Sequence, residues 1–292
     1  MNNYIFFVDS ACDLPADIIK KYNIELLGLK CHFKDKEYIE DLNMPLTYNE
    51  FYTGIRNGEI PTTSQINAYT FYEKFEEYVK KDIPIIYPAF SSALSGTINS
   101  AEIAKNQILE NYPNADITII DTKCASLGYG LLMIKACEYK NNGATKEEVI
   151  SYINQTAPKI NHTVLLDDLN YLKRGGRLSG TAAALGSILQ LKPLVKVNAQ
   201  GQLINYSKIK GRKKGISTLF NALENSKIDI NSQKIVAISH SDCLEDAEKL
   251  ASMIREKYNV EVLINYIGCV IGSHTGVGTV ALFFLDDERL TI

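Results

Sequence analysis

Apolar residues in this chain fall into short continuous runs, separated by segments in which they recur every three or four positions. The run at 4–8 (Tyr4, Ile5, Phe6, Phe7, Val8) predicts a buried strand that stops at Asp9 and Ser10. Leu14-Pro15-Ala16-Asp17 predicts a helix start with Pro15 near its first turn. A second strand is predicted over 83–87, and a helix over 98–109 from the spacing of Ile98, Ala101, Ala104 and Ile108. A third strand over 117–120 again closes on an acid, Asp121. Strand alternating with helix implies a parallel sheet covered on both faces.

The texture changes after about residue 160: Val164-Leu165-Leu166, a Gly-rich turn at 175–180, a predicted helix over 182–191, then LVKVNAQGQLINYSKI. That last segment reads as two strands joined through Gln200-Gly201. Further strands are predicted over 234–239, 260–266 and 280–285, with a helix over 244–258, so this half reads as a mixed sheet with helices. No internal repeat or low-complexity linker divides the two halves. The fold class expected is therefore α/β, as two α/β domains sharing a cleft, residues 1–160 and 161–292.

Composition narrows the function classes. The chain has 292 residues, about twice a usual domain length, with 46% hydrophobic and 22% charged residues, enough for a large core. A net charge of −3 disfavours a broad phosphate-binding face, so nucleic acid is not an expected partner. The first residues carry no export leader, and no apolar run reaches the ~18 residues of a membrane span, so a cytoplasmic location without an integral membrane segment is expected. The six cysteines are scattered without CxxC pairing and read as reduced, mostly structural thiols, with no metal site expected.

Three stretches carry candidate chemistry. AFSSALSGT at 89–97 follows a strand and precedes a helix, so it belongs at the carboxyl edge of a parallel sheet, where open α/β folds bind ligands. There Ser95 is a candidate N-cap, and Gly96 opens the first N–H groups to an anion. Pro61-Thr62-Thr63-Ser64-Gln65 sets another run of hydroxyls before a predicted helix. IGSHTGVG at 271–278 places His274 and Thr275 among glycines, between two strands. Each stretch alone is also compatible with helix capping or turn chemistry.

Together with VDSACDLP at 8–15, IDTKCASLGYG at 120–130, LNYLKRGGRLSG at 169–180 and LKPLVKVNAQGQL at 191–203, these stretches resemble the DegV family of bacterial fatty-acid-binding proteins, nearly end to end. The resemblance implies two α/β domains enclosing one long-chain fatty acid (C14–C18, for example palmitate, stearate or oleate), and no other cofactor. Carboxylate-binding loops would lie in the first domain, and the His loop with two basic segments in the second. Thr62 and Ser95 are the expected carboxylate contacts, supported by Thr63, Ser64, Ser92, Gly96 and Thr97, with His274 and Thr275 near the head group. A helix N-terminus adds its dipole and neutral donors suffice. At roughly 0.8 kcal/mol per methylene, a C16 tail contributes on the order of 10 kcal/mol gross.

The resemblance further implies a non-enzymatic carrier subunit, which presents its acid to a separate ATP-binding fatty-acid kinase for acyl-phosphate formation in phospholipid metabolism. Consistent with that, no GxxxxGK[ST] loop is present. Arg174, Arg177, Lys210 and Arg212 are then the expected partner-docking residues. The family often carries Arg where Lys210 stands, Gly where Ala93 stands, Pro-Ser where Ile66-Asn67 stand and Pro where Val277 stands.

Two rivals from other classes have distinct signatures. A serine hydrolase would use Ser95 and His274 with Asp9 or Asp121, yet Ala93-Leu94-Ser95-Gly96-Thr97 lacks both glycines of a GxSxG elbow. A DNA-binding regulator would rest on KIKGRKKG, which follows a hairpin rather than forming a helix-turn-helix. No GxGxxG follows the first strand, which removes a dinucleotide enzyme.

Overall fold

The computed structural model describes residues 4–179 and 191–289. In chain order the first half contains β1 (Ile5–Asp9), α1 (Ala16–Lys21), β2 (Glu25–Leu27), β3 (Lys30–Phe33), β4 (Lys36–Ile39), α2 (Tyr48–Arg56), β5 (Thr62–Ser64), α3 (Ala68–Val79), β6 (Ile85–Ala89), α4 (Thr97–Asn111), β7 (Ile117–Asp121), α5 (Ser126–Asn141) and α6 (Lys146–Thr156). The second half contains β8 (Ile160–Leu165), α7 (Asn170–Arg174), β9 (Leu178–Ser179), β10 (Leu191–Val197), β11 (Leu203–Lys210), α8 (Arg212–Glu224), β12 (Ile235–His240), α9 (Leu244–Lys257), β13 (Glu261–Tyr266), α10 (Cys269–Thr275) and β14 (Val280–Leu285).

Among the described residues, β2-β1-β6-β7 form a parallel sheet, with β1 and β6 buried at every position because helices hide both faces. The seven-stranded sheet β13-β12-β14-β8-β10-β11-β9 is mixed, as its two textures predict. Alternation along its strands divides the side chains between two cores. Leu165, Leu194, Ile238, Leu282 and Phe284 pack with α8 and α9 on the outer face. His162, Val164, Val195, Val197, Ala281 and Phe283 point the other way, toward the N-terminal half.

Part of that inner face is covered by α5, which packs on β8, β12 and β14. Twelve of its sixteen residues are buried, so it carries no polar stripe. The contact with β8 is close enough that a Cβ at Gly128 would collide with the His162 ring. A separate three-stranded antiparallel sheet, β4-β3-β5, projects from the N-terminal half.

Several boundaries differ from the sequence expectation. The Thr62–Ser64 stretch is a strand, and the helix after it is capped by Asn67, whose side chain accepts from Thr70 N. Ser95 is not the N-cap of α4; Gly96 is, and Ser95 Oγ accepts from Thr97 N at 3.2 Å. The His274 stretch is not a loop but the last turn of α10. Periodicity did not reveal β2 to β4, α2, α5, α6 or α8, while the helix predicted over 182–191 lies outside the described residues up to Leu191, which opens β10.

A helix-interior glycine replaced by alanine ordinarily gains about 1 kcal/mol of helix propensity. At Gly128 the fixed, fully buried His162 ring reverses the sign, so Gly128→Ala is expected to destabilise the protein by roughly 1–3 kcal/mol in denaturant titrations; a stabilised variant would show that α5 and β8 are loosely packed.

Candidate functional site

Where α5 no longer covers the inner face of the mixed sheet, a cavity of about 320 Å³ remains. Val164, Leu166, Val195, Val197, Leu203 and Phe283 wall it from the sheet side, and Leu29, Phe90, Leu94, Ile267, Val270 and Ile271 from the other. Its polar groups are few. Thr63, Ser64 and Gln65 come from β5 and its end, Ser95 from the β6–α4 loop, Arg177 from the turn after α7, and His274 and Thr275 from α10.

These groups are connected. Thr63 Oγ1 and His274 Nε2 share a hydrogen bond of 2.8 Å. Arg177 donates through Nε to Leu94 O at 3.1 Å, next to Ser95, and through Nη1 to Gly175 O at 2.5 Å. Gly175 ends α7, and its bare Cα packs on the His274 ring, where a side chain would collide. Burial, reinforced by the charges of Arg177 and Arg174, lowers the His274 pKa to about 4, so the ring is neutral at pH 7. Its Nδ1 is buried without a partner.

The expected residues do not all arrive here. Thr62 is exposed and paired beside His32, because Thr63, its neighbour on the strand, points the other way. Ser92 is exposed and binds Asp121 through Oγ at 2.6 Å, off the cavity. Thr97 is buried and shares a 2.8 Å bond with Ser95 Oγ. Because Ser95 Oγ also occupies the Thr97 amide, that N–H is not free for an anion as the motif suggested. Gly96 touches Gln65 rather than opening the helix end.

The docking residues also divide. Arg177 lines the cavity instead of a free surface. Arg212 is an internal strut: it binds Asp246 at 2.8 Å, Asp167 at 3.1 Å and Gly278 O at 2.6 Å. Only Arg174, stacked over Tyr171, and Lys210 at the end of β11 remain exposed.

A hydrolytic triad is not assembled. His274 bonds Thr63 rather than Ser95, and neither acid orients it. The fully buried Asp9 accepts from Tyr87, Phe90 N and Ala11 N, and Asp121 holds Ser92. Asp9 titrates near 6 because burial outweighs those bonds. Among the described residues no group of three or more His, Cys, Asp or Glu side chains is placed to hold a metal ion, all six cysteines are free thiols, and no helix is long and apolar enough to cross a membrane.

Sequence reasoning missed what holds α10 in place. Asp13 Oδ1 accepts from Gly268 N at 2.9 Å and Glu40 Oε1 from Val270 N at 3.2 Å, so two fully buried carboxyls grip the start of the helix that carries His274. Ser126, a cavity-lining residue with φ of 52°, donates to Asp13 and also bonds Ser239 at 2.9 Å. Asp13 lies inside a motif already singled out, but nothing in the stretch around Glu40 marks it.

A model of the DegV family, described as uncharacterised proteins, matches residues 6–287. The chain belongs to the DegV family. It is 51% identical to a DegV domain-containing protein of Clostridium perfringens, with 99% of each chain covered. Among solved structures it is similar to DegV of Bacillus subtilis, described as a fatty acid binding protein (29% identity, TM-score 0.85, 98% of this chain and 100% of that one). It is equally similar to a Thermus thermophilus DegV family protein described by its fatty acid binding (27% identity, TM-score 0.85, 98% and 100%). The α/β architecture of a parallel and a mixed sheet is thus that of DegV structures.

Burial raises Asp13 to about 7 and Glu40 to about 8, above ordinary carboxylate values of 3.8 and 4.5. The folded state therefore favours the protonated acids, and the stability they contribute is complete below about pH 4 and lost as pH rises through about 7 to 8. Wild-type DegV protein is expected to lose unfolding free energy between about pH 4 and pH 8, and Glu40→Gln to lose markedly less; superimposable pH profiles would refute the buried acid pair. In NMR titrations the His274 ring should stay neutral from pH 8 down to about 5, whereas a midpoint near 6.5 would contradict its burial.

Proposed function

We propose that this DegV protein binds one long-chain fatty acid, with the carboxylate among Thr63, Ser95, His274 and Arg177 and the tail along the apolar walls. The observation that carries this reading is the cavity itself: an apolar-walled space of about 320 Å³ that hydroxyls, a neutral imidazole and a guanidinium line from β5, the β6–α4 loop, α10 and the turn after α7. Hydroxyl donors and one guanidinium match a single carboxylate; Ser126, His162 and Thr279, which also line the space, are bonded within the protein. The fatty acid binding described for the Bacillus subtilis and Thermus thermophilus relatives supports the same ligand class.

In this reading the chain divides at 160/161, and the cavity lies between the halves. The protein acts as a cytoplasmic, non-catalytic carrier that presents the acid to a separate fatty-acid kinase, with Arg174 and Lys210 as the exposed cations available for docking. Neutral His274 can donate one hydrogen bond to the head group through its single N–H without adding charge, leaving Arg177 to balance the carboxylate.

Native mass spectrometry of the purified protein, followed by denaturing extraction, is expected to show one C14–C18 acid per chain. A folded Thr63→Ala/Ser95→Ala variant should bind oleate about 100-fold or more weakly, at ~1.5–3 kcal/mol per hydrogen bond to a charged group, while Thr62→Ala binds like wild type. A protein that takes up no such acid would overturn the reading, and a loss confined to Thr62→Ala would relocate the head group. Adding a kinase and ATP should convert the bound acid to acyl phosphate only with the loaded carrier.

A further inference from the structure

We propose that Gln65 is a positioning residue of the head-group site, bridging β5 to α4 so that the Thr63 and Ser95 hydroxyls are held at the spacing one carboxylate needs; this rests on the fatty-acid reading above.

Among the described residues, strand β5 is the outer strand of its small sheet and pairs only with β3. Its attachment to the rest of the site is therefore through side chains. Toward α10 the attachment is Thr63 to His274. Toward α4 it is Gln65, whose Nε2 donates to Ser100 Oγ at 2.9 Å, with Ser100 buried in the first turn of the helix. The amide of Gln65 crosses directly over Gly96, and a Cβ there would collide with Gln65 Oε1. Gly96 has a φ of −77°, which any residue adopts, so glycine is needed at this position for the close approach and not for its backbone. Its neighbour Ser95 is the hydroxyl on the far side of the gap, and Gln65 lines the same cavity.

The amide chemistry matters as much as the length. A neutral amide carries no charge at a rim where a carboxylate would sit, while a carboxylate of equal length could still accept from the Ser100 hydroxyl but would repel the ligand.

The test measures oleate affinity by displacement of cis-parinaric acid, with ligand-free thermal unfolding of each variant to confirm an intact fold. Gln65→Ala and Gly96→Ala are each expected to weaken binding roughly tenfold, the worth of one hydrogen bond, and the double variant should be no weaker than either single because both break the same bridge. Gln65→Glu should bind more weakly than wild type at pH 8, because an ionised carboxylate at the rim repels that of the ligand. Singles with wild-type affinity, losses that add in the double variant, or wild-type affinity of Gln65→Glu at pH 8 would each overturn the proposal while leaving the fatty-acid reading intact. A wild-type protein that displaces no probe would overturn that reading, and this one with it.

Discussion

The inner face of the mixed sheet has to be covered, and the rest of the structure follows from how incompletely the protein covers it. Its apolar side chains alternate with those of the outer core, so the strands leave them no other direction. Helix α5 satisfies one part of this demand, which is why it is buried on nearly every side and why a glycine faces the His162 ring. Protein atoms leave about 320 Å³ of the remainder as cavity.

The polar groups of the site are arranged under the same constraint, since charge is costly inside. His274 is kept neutral by burial and by nearby arginines, and the hydroxyls that line the cavity are uncharged donors. Two buried acids lie outside the cavity lining: Asp13 and Glu40 grip the amides that open α10, with their carboxyls pushed toward the protonated form. Helix α10 thus connects the two systems, anchored at one end by acids and presenting His274 to Thr63 at the other. The strut formed by Arg212, Asp167 and Asp246 performs a comparable task at the outer core, which explains why that arginine is not free for a partner.

Continuous runs such as Ile5–Asp9 and Ile85–Ala89 disclosed the parallel sheet because full burial on both faces demands unbroken hydrophobicity, and Val280–Leu285 was legible for the same reason. Helix α5 escaped notice because it is apolar all round and shows no periodicity. The hydroxyl motifs and His274 were visible as residue types, and three of the four residues proposed here for the carboxylate lie within them. Which hydroxyl faces the ligand was not visible. Thr62 and Thr63 are adjacent and chemically identical, and only the pleat of β5 against β3 separates the exposed one from the one that bonds His274.

The amino-acid sequence by itself determined the α/β class, the family and the set of chemical groups available to the site. Those properties reside in hydrophobic runs, charge and local motifs, which are read along the chain. The tertiary structure alone decided that Arg177 lines the cavity, that Arg212 is locked in an ion network, that Glu40 joins Asp13 across the fold, and that Gln65 reaches Ser100 over a bare Gly96. Each of these depends on contacts between residues distant in sequence or on the direction of a side chain, and both are set by packing that no linear pattern encodes.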